Sequence, residues 1–163
     1  MVRIGQSFDI HKFKTGSGFK LGGVDISSDK AIIAHSDGDV LLHAIAESLL
    51  GALALGDLGQ HYPDEHDTTE NIDSAMILKE VYSTIKKEGY RLQNIDCMVY
   101  LEVPKLKPYM PLMQASIATI LNVKKHQVSI KATTFEGLGE IGRNEAIAAS
   151  CVALLEKSTL RKL

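Results

Sequence analysis

No stretch of this chain restricts its fold more than Asp39-Val40-Leu41-Leu42-His43-Ala44-Ile45-Ala46-Glu47-Ser48-Leu49-Leu50. The run reads as an apolar helix, capped at its first turn by Asp37 or Asp39 and ending near Gly51 to Gly56. The longest apolar runs, around Leu49 to Leu55 and Ile147 to Leu155, fall short of the ~20 residues of a membrane span, so the apolar helix packs against other elements of the chain. One such element lies at the start, where Val2-Arg3-Ile4-Gly5-Gln6-Ser7-Phe8-Asp9-Ile10-His11 loosely alternates apolar and polar residues, as a strand does. Residues two apart in a strand share a face, so Asp9 and His11 project together. His43, one turn into the helix, is able to face them.

A neutral imidazole offered beside a carboxylate is a typical ligand pair for a divalent metal such as zinc. Asp9, His11 and His43 make such a set, and three protein ligands leave the fourth tetrahedral position open, as in catalytic zinc sites. Spacing alone fits equally a chance Asp-x-His pair and an ordinary buried histidine at 43. In His35-Ser36-Asp37-Gly38-Asp39, His35 is a possible fourth ligand.

The chain has 163 residues, which reads as one domain over 1–163, large enough to bury a core without disulfides or a structural metal. A metal here is therefore expected to be functional. With 45% hydrophobic and 23% charged residues and a net charge of −2, the chain is an ordinary globular one with no footprint for nucleic acid and no implied membrane partner. Met1-Val2-Arg3-Ile4 runs straight into the strand pattern and lacks the apolar region of a signal peptide. Cys97 and Cys151 both sit in apolar contexts, which suits buried thiols in a reducing cytoplasm.

Further along, Phe19 to Ile26 reads as a hairpin with Gly22-Gly23 at its turn. Asp57-Leu58-Gly59 and Tyr62-Pro63-Asp64 read as a polar loop, and Ser74 to Glu88 as a helix stopped by Gly89. Leu92 to Val103 is expected to be a strand with Val99 and Leu101 on one face, followed by a helix from about Met110 to Leu121. Val128 to Thr134 is expected to be another strand, and Asn144 to Lys157 a helix or a strand followed by a helix. Strands alternating with helices give an α/β or α+β sandwich.

Two further stretches carry chemistry. Lys131-Ala132-Thr133-Thr134-Phe135-Glu136-Gly137-Leu138-Gly139 runs from a strand into hydroxyls, an acid and glycines, which suits contact with phosphate oxygens. Glu136 offers a hard oxygen to magnesium, and Arg143 a fork for phosphate. Leu101-Glu102-Val103-Pro104-Lys105-Leu106-Lys107-Pro108 is a proline-stiffened loop that suits either a nucleotide's base and phosphates or a solvated turn.

Taken together and in order, Phe8-Asp9-Ile10-His11, Ala34-His35-Ser36-Asp37-Gly38-Asp39 with His43, Gly56-Asp57-Leu58-Gly59, Tyr62-Pro63-Asp64, Pro104-Lys105-Leu106 and Lys131-Ala132-Thr133-Thr134 with Glu136 and Gly142-Arg143 closely resemble the 2-C-methyl-D-erythritol 2,4-cyclodiphosphate synthases. The resemblance spans nearly the whole chain. It implies an α+β, single-domain two-layer sandwich, a mostly antiparallel sheet with helices on one face, assembling as a homotrimer with active sites between subunits. It implies closure of 4-diphosphocytidyl-2-C-methyl-D-erythritol 2-phosphate to the cyclic diphosphate with loss of cytidine monophosphate (CMP), in the non-mevalonate route to isoprenoid precursors.

By the same resemblance, zinc is held by Asp9, His11 and His43, and magnesium or manganese by Glu136 with substrate phosphates. His35 and Thr134 fall on positions that steady the transition state. Substrate contacts fall on Asp9, Ile10, His11, His35, Ser36, Asp57, Leu58, Gly59, Tyr62, Pro63, Asp64, Glu65 and His66. Others fall on Leu101, Glu102, Val103, Pro104, Lys105, Leu106, Lys107, Thr133, Thr134, Phe135, Glu136, Glu140 and Arg143. The chain departs from the family at Gln6-Ser7 and at Glu140, where an aromatic is common. Competing readings are a zinc phosphohydrolase on the same scaffold, which would activate water at the open position, and a non-catalytic module using metal for structure.

Overall fold

A computed structural model describes residues 1–34, 36–63 and 72–158. Its organising element is β1 (Val2–Thr15), in which the larger apolar side chains face away from the core along most of the strand. Val2, Ile4, Phe8 and Ile10 are exposed on one face, while Gly5, Ser7 and Phe13 are buried, and Asp9 and His11 half-buried, on the other. Small residues face inward because α1 (Val40–Ala52) lies directly on them. Ser7 Oγ donates to the Ala44 carbonyl at 2.5 Å, and Arg3 Nε to the Ala52 carbonyl at 2.8 Å.

The main sheet runs in the order β4 (Lys30–Ile32), β1, β7 (Ala146–Lys157), β5 (Tyr90–Tyr100), β6 (Val128–Thr133). The β4–β1, β1–β7 and β7–β5 pairs are antiparallel, and β5–β6 is parallel. One face is covered by α1, α3 (Ser74–Lys87) and α4 (Met110–Leu121), and the core lies between them and Ile95, Cys97, Val99, Ile147, Ala149, Cys151, Ala153 and Leu155. The fold is thus a single-domain α+β arrangement with a mostly antiparallel sheet, as the resemblance implies. On the other face a single turn, α5 (Gly139–Gly142), packs Ile141 against Ala146, Ala148 and Tyr100.

The segment from Asn144 to Lys157 differs from expectation: no helix forms, and Ala146–Lys157 is one strand. It is paired on both edges and mostly covered near its start, so its apolar run is continuous and carries no period that would separate strand from helix. Cys97 and Cys151 are free, buried and directly opposed across β5 and β7, with Sγ atoms 3.6 Å apart.

Of the two candidate caps, Asp39 starts α1. Its Oδ1 accepts from Leu42 N at 3.1 Å and Gly22 N at 2.8 Å, and Oδ2 from Gly23 N at 2.7 Å. The hairpin β2 (Phe19–Leu21) and β3 (Val24–Ile26) turns at Gly22 and Gly23, with φ of 61° and 73°, so one buried carboxylate ties that left-handed turn to the start of the helix. Burial pushes the Asp39 carboxyl above the usual carboxylate range, against the three N–H groups that favour its charge.

Candidate metal centre and substrate cleft

Close contact between α1 and β1 brings the fourth residue of α1, His43, over the inward face of β1. There His11 Nε2 lies 3.0 Å from Asp9 Oδ2, His43 Nδ1 lies 3.3 Å from the same oxygen, and the two nitrogens are 3.2 Å apart. Ligands at zinc's preferred bond lengths stand about 3.3 Å apart along the edges of a tetrahedron. The three atoms therefore form one face of such a site before any ion is added, and the residues fit a divalent metal. Asp9 Oδ1 accepts from Ile10 N at 2.8 Å, which aims Oδ2 at the histidines. Burial opposes ionisation of Asp9, but its contacts with His11 and His43 outweigh it, holding its carboxyl well below the usual range.

The far side of the His43 ring is also engaged. Its Nε2 lies 2.8 Å from Ser74 Oγ and 3.2 Å from Ser36 Oγ. Asp9, His11 and His43 line a cleft of about 370 Å³ whose walls include Ser36, Leu58, Gly59 and Tyr62, so a metal held by them would be accessible to a substrate in that cleft. Asp57 caps α2 (Leu58–His61) through Gln60 N at 2.9 Å, and Tyr62 Oη donates to Glu80 at 2.9 Å. Burial and Glu80 push the Tyr62 hydroxyl up to about 12. Ile10 sits between the two ligands of β1 but on its opposite, exposed face. Pro63 follows Tyr62 at the end of this described segment, and His35, Asp64, Glu65 and His66 lie outside the described residues.

Sequence reasoning passed over Glu47 in this cleft. Its position four residues after His43 on one helix was a signal for it, since such residues share a face. Ser74 was also passed over, and its approach from a distant helix leaves no local pattern.

The second group of expected residues lies elsewhere. Leu101, Pro104, Lys105, Leu106 and Lys107 line a separate cavity of about 310 Å³ with Thr133 and Thr134, while Val103 is exposed and not part of its lining. Thr134 Oγ1 donates to Glu136 Oε1 at 2.7 Å, while Glu102 Oε1 accepts from Phe135 N at 2.7 Å. Glu136 has a φ of 51°, an uncommon state for a residue with a side chain, and Glu102 and Thr134 brace the turn that holds it. Phe135 packs edge-on against Tyr100 with ring centroids 5.5 Å apart. The Arg143 fork is occupied by Glu145 at 3.1 Å through both Nε and a terminal nitrogen, with Glu140 at 3.5 Å.

The register places Ile10, Ala148, Tyr100 and Thr133 in one row across β1, β7, β5 and β6. Three inter-strand steps separate the ends of that row, on the order of 14 Å. Within one chain, Asp9 and His11 thus stand on a strand three steps across the sheet from the one that leads into Thr134 and Glu136.

Fold and site define an α+β protein with a three-ligand metal-binding site opening into a cleft. The chain belongs to the YgbB family, whose profile matches residues 2–156. It is 48% identical over 158 residues to the 2-C-methyl-D-erythritol 2,4-cyclodiphosphate synthase of Geobacillus kaustophilus (strain HTA426), covering 97% of this chain and 100% of that one. The enzyme of the same name from Chlorobium phaeovibrioides (strain DSM 265 / 1930) is 48% identical over 157 residues, covering 96% and 100%. Among solved structures, a bifunctional IspDF from Campylobacter jejuni superposes with a TM-score of 0.93 at 39% identity, covering 97% of this chain and 43% of that one. The Plasmodium falciparum IspF, solved as a CDP complex, superposes at 0.86 with 36% identity, covering 97% of both chains.

Proposed function

We propose that this protein closes 4-diphosphocytidyl-2-C-methyl-D-erythritol 2-phosphate into 2-C-methyl-D-erythritol 2,4-cyclodiphosphate with release of CMP, a step in non-mevalonate isoprenoid precursor synthesis. The observation that carries this reading is the Asp9-His11-His43 triangle lining a cleft, in a chain that matches a named synthase over 97% of its length. Asp9, His11 and His43 would hold zinc, and Glu136 with substrate phosphates would hold magnesium or manganese. Bound, the two ions supply orientation to the attacking 2-phosphate and neutralise charge on the diphosphate.

The chain's own residues position the rest. Asp57 and Gly59 would bind the erythritol hydroxyls with Leu58 as a further substrate contact, and Tyr62 to His66 would meet the length of the substrate. Leu101 to Lys107 and Thr133 hold the cytosine and its phosphates. His35 and Thr134 steady charge as the phosphorus–oxygen bonds exchange, and Ser36, Phe135, Glu140 and Arg143 contribute further substrate contacts. Holding nucleophile and electrophile of one molecule together favours ring closure over attack by water.

Because one chain sets β1, which carries Asp9 and His11, about 14 Å from β6, which leads into Thr134 and Glu136, we place the complete site between subunits of a homotrimer, each chain's metal triad facing its neighbour's Thr134 and Glu136. The exposed apolar sheet face of Val2, Ile4, Phe8, Ile10 and Val152 is the kind of surface such an assembly buries. Sedimentation is expected to give three times the 17.8 kDa chain mass, and a monomer would remove the shared site. Among the described residues, no helix is long and apolar enough to cross a membrane. The unbridged Cys97 and Cys151 suit a reducing compartment, and we place the enzyme, as one domain over 1–163, in the cytoplasm.

The test is incubation with the diphosphocytidyl substrate, zinc and magnesium, followed by phosphorus resonance spectra. Cyclic diphosphate and CMP are expected. Phosphate release without a ring would turn the reading to a hydrolase. Glu136→Gln is expected to lower kcat by roughly 10²-fold or more, the scale of losing one preorganised electrostatic contact, with zinc affinity unchanged. A Glu136→Gln variant with ordinary kcat would remove this residue from the mechanism.

A further inference from the structure

His43 presents Nδ1 to Asp9 and His11, so a metal there requires that Nδ1 carry no proton and that Nε2 carry one. What fixes that choice is visible behind the ring. Ser74 Oγ, 1% exposed as a residue, stands between His43 Nε2 and Asp37 Oδ1 in hydrogen-bond contact with both. An ionised carboxylate only accepts, so the Ser74 hydroxyl spends its one proton on Asp37. Its oxygen can then only accept from the imidazole, which puts the His43 proton on Nε2 and frees the Nδ1 lone pair.

Asp37 is itself held in that orientation. Its Oδ1 faces Asp39 N at 3.3 Å and Ser74 N at 3.4 Å, its own N–H donates to Ile72 O at 3.2 Å, and Lys20 Nζ lies 3.9 Å from Oδ2. The first turn of α3 adds its positive end to the site of the negative charge. Ser36 Oγ, at 3.2 Å from Nε2, is the longer contact and also accepts from Gly38 N at 3.1 Å.

We propose that Ser74 and Asp37 are positioning residues that set the tautomer and ring orientation of His43 and so tune the affinity of the metal site. This rests on the reading of Asp9, His11 and His43 as metal ligands. Partners of this kind typically account for roughly 10- to 100-fold in metal affinity. Because the two act in series, their effects are not additive.

The experiment measures zinc affinity by competition with a chromophoric chelator, and thermal unfolding of the metal-free protein, for the full chain and for Ser74→Ala, Asp37→Asn and the double variant. Ser74→Ala is expected to weaken zinc binding roughly 10- to 100-fold while the metal-free protein unfolds near the parent temperature. Asp37→Asn keeps the acceptor oxygen but loses the charge, so its loss is smaller, and the double variant resembles Ser74→Ala. If Ser74→Ala binds zinc like the parent, or lowers only the unfolding temperature, Ser74 is a helix-start residue and the proposal falls while the ligand triad stands. If the parent itself fails to bind one zinc per chain, the triad reading falls instead.

Discussion

His43→Ala is expected to abolish turnover and zinc retention while leaving a folded protein. His43 supplies one corner of a triangle whose edges are 3.0, 3.2 and 3.3 Å, and without it Asp9 and His11 are left as a two-ligand site. The loss of zinc affinity should exceed the roughly 10- to 100-fold attached to an outer partner. The fold should survive because α1 is anchored elsewhere, through Leu41, Leu42, Ile45, Leu49 and Leu50 in the core and through Asp39 at its start, and alanine is at least as good a helix former as histidine. Thermal unfolding with and without zinc separates the readings. In the parent, zinc at 100 times its Kd adds about 2.7 kcal/mol, a rise of about 5–10 °C at this chain length. The variant should show no rise. A chelated parent that unfolds outright would mean a structural metal, and a variant that turns over normally would mean the ligands are misassigned.

The parts of the site legible in sequence are those set by local periodicity. Asp9 and His11 share a face because strands repeat every two residues, and His43 faces them because it lies one turn past the Asp39 cap. Alternation along Val2 to His11 shows that the two faces differ without showing which is buried. The small face of Gly5 and Ser7 turns inward because the helix has to come close, and Ile4 and Phe8 are left outside. Strand order is not written in local pattern either. The separation between the metal triad and Glu136 follows from β7 and β5 lying between β1 and β6, which depends on pairing of strands far apart in the chain, such as Val2 with Glu156, Tyr100 with Ala148 and Ile95 with Val128. Ser74 reaches His43 from 31 positions away, and Arg143 already holds Glu145, choices that only the folded chain makes. In Ala146–Lys157 the sequence pattern was ambiguous, because burial in the middle of the sheet erased the alternation that marks an edge strand.

Gly5→Ala is expected to be the most damaging of the small substitutions on β1. A Cβ at Gly5 would stand 1.9 Å from Ser48 O, 2.6 Å from Ala52 N and 3.0 Å from Ala52 Cα, all backbone atoms of α1 or its last turn. No side chain can rotate away, so the helix has to lift from the strand. Overpacking a core typically costs 1–3 kcal/mol, and with only backbone to yield the expected loss is about 3 kcal/mol or more, a fall of about 6–12 °C in unfolding temperature. Gly51→Ala is the matched control. It lies in the same helix, exposed and with no atom beyond its chain neighbours and the helix's own backbone within 4 Å of the added carbon, so it should gain about 0.5–1 kcal/mol from helix propensity. Urea unfolding of the two variants measures both signs. Lifting α1 also carries His43 away from Asp9 and His11, so whatever fraction of Gly5→Ala still folds should bind zinc more weakly than the parent. Parent-like stability and zinc affinity in Gly5→Ala would mean that the close helix–strand contact is not what sets the metal triangle.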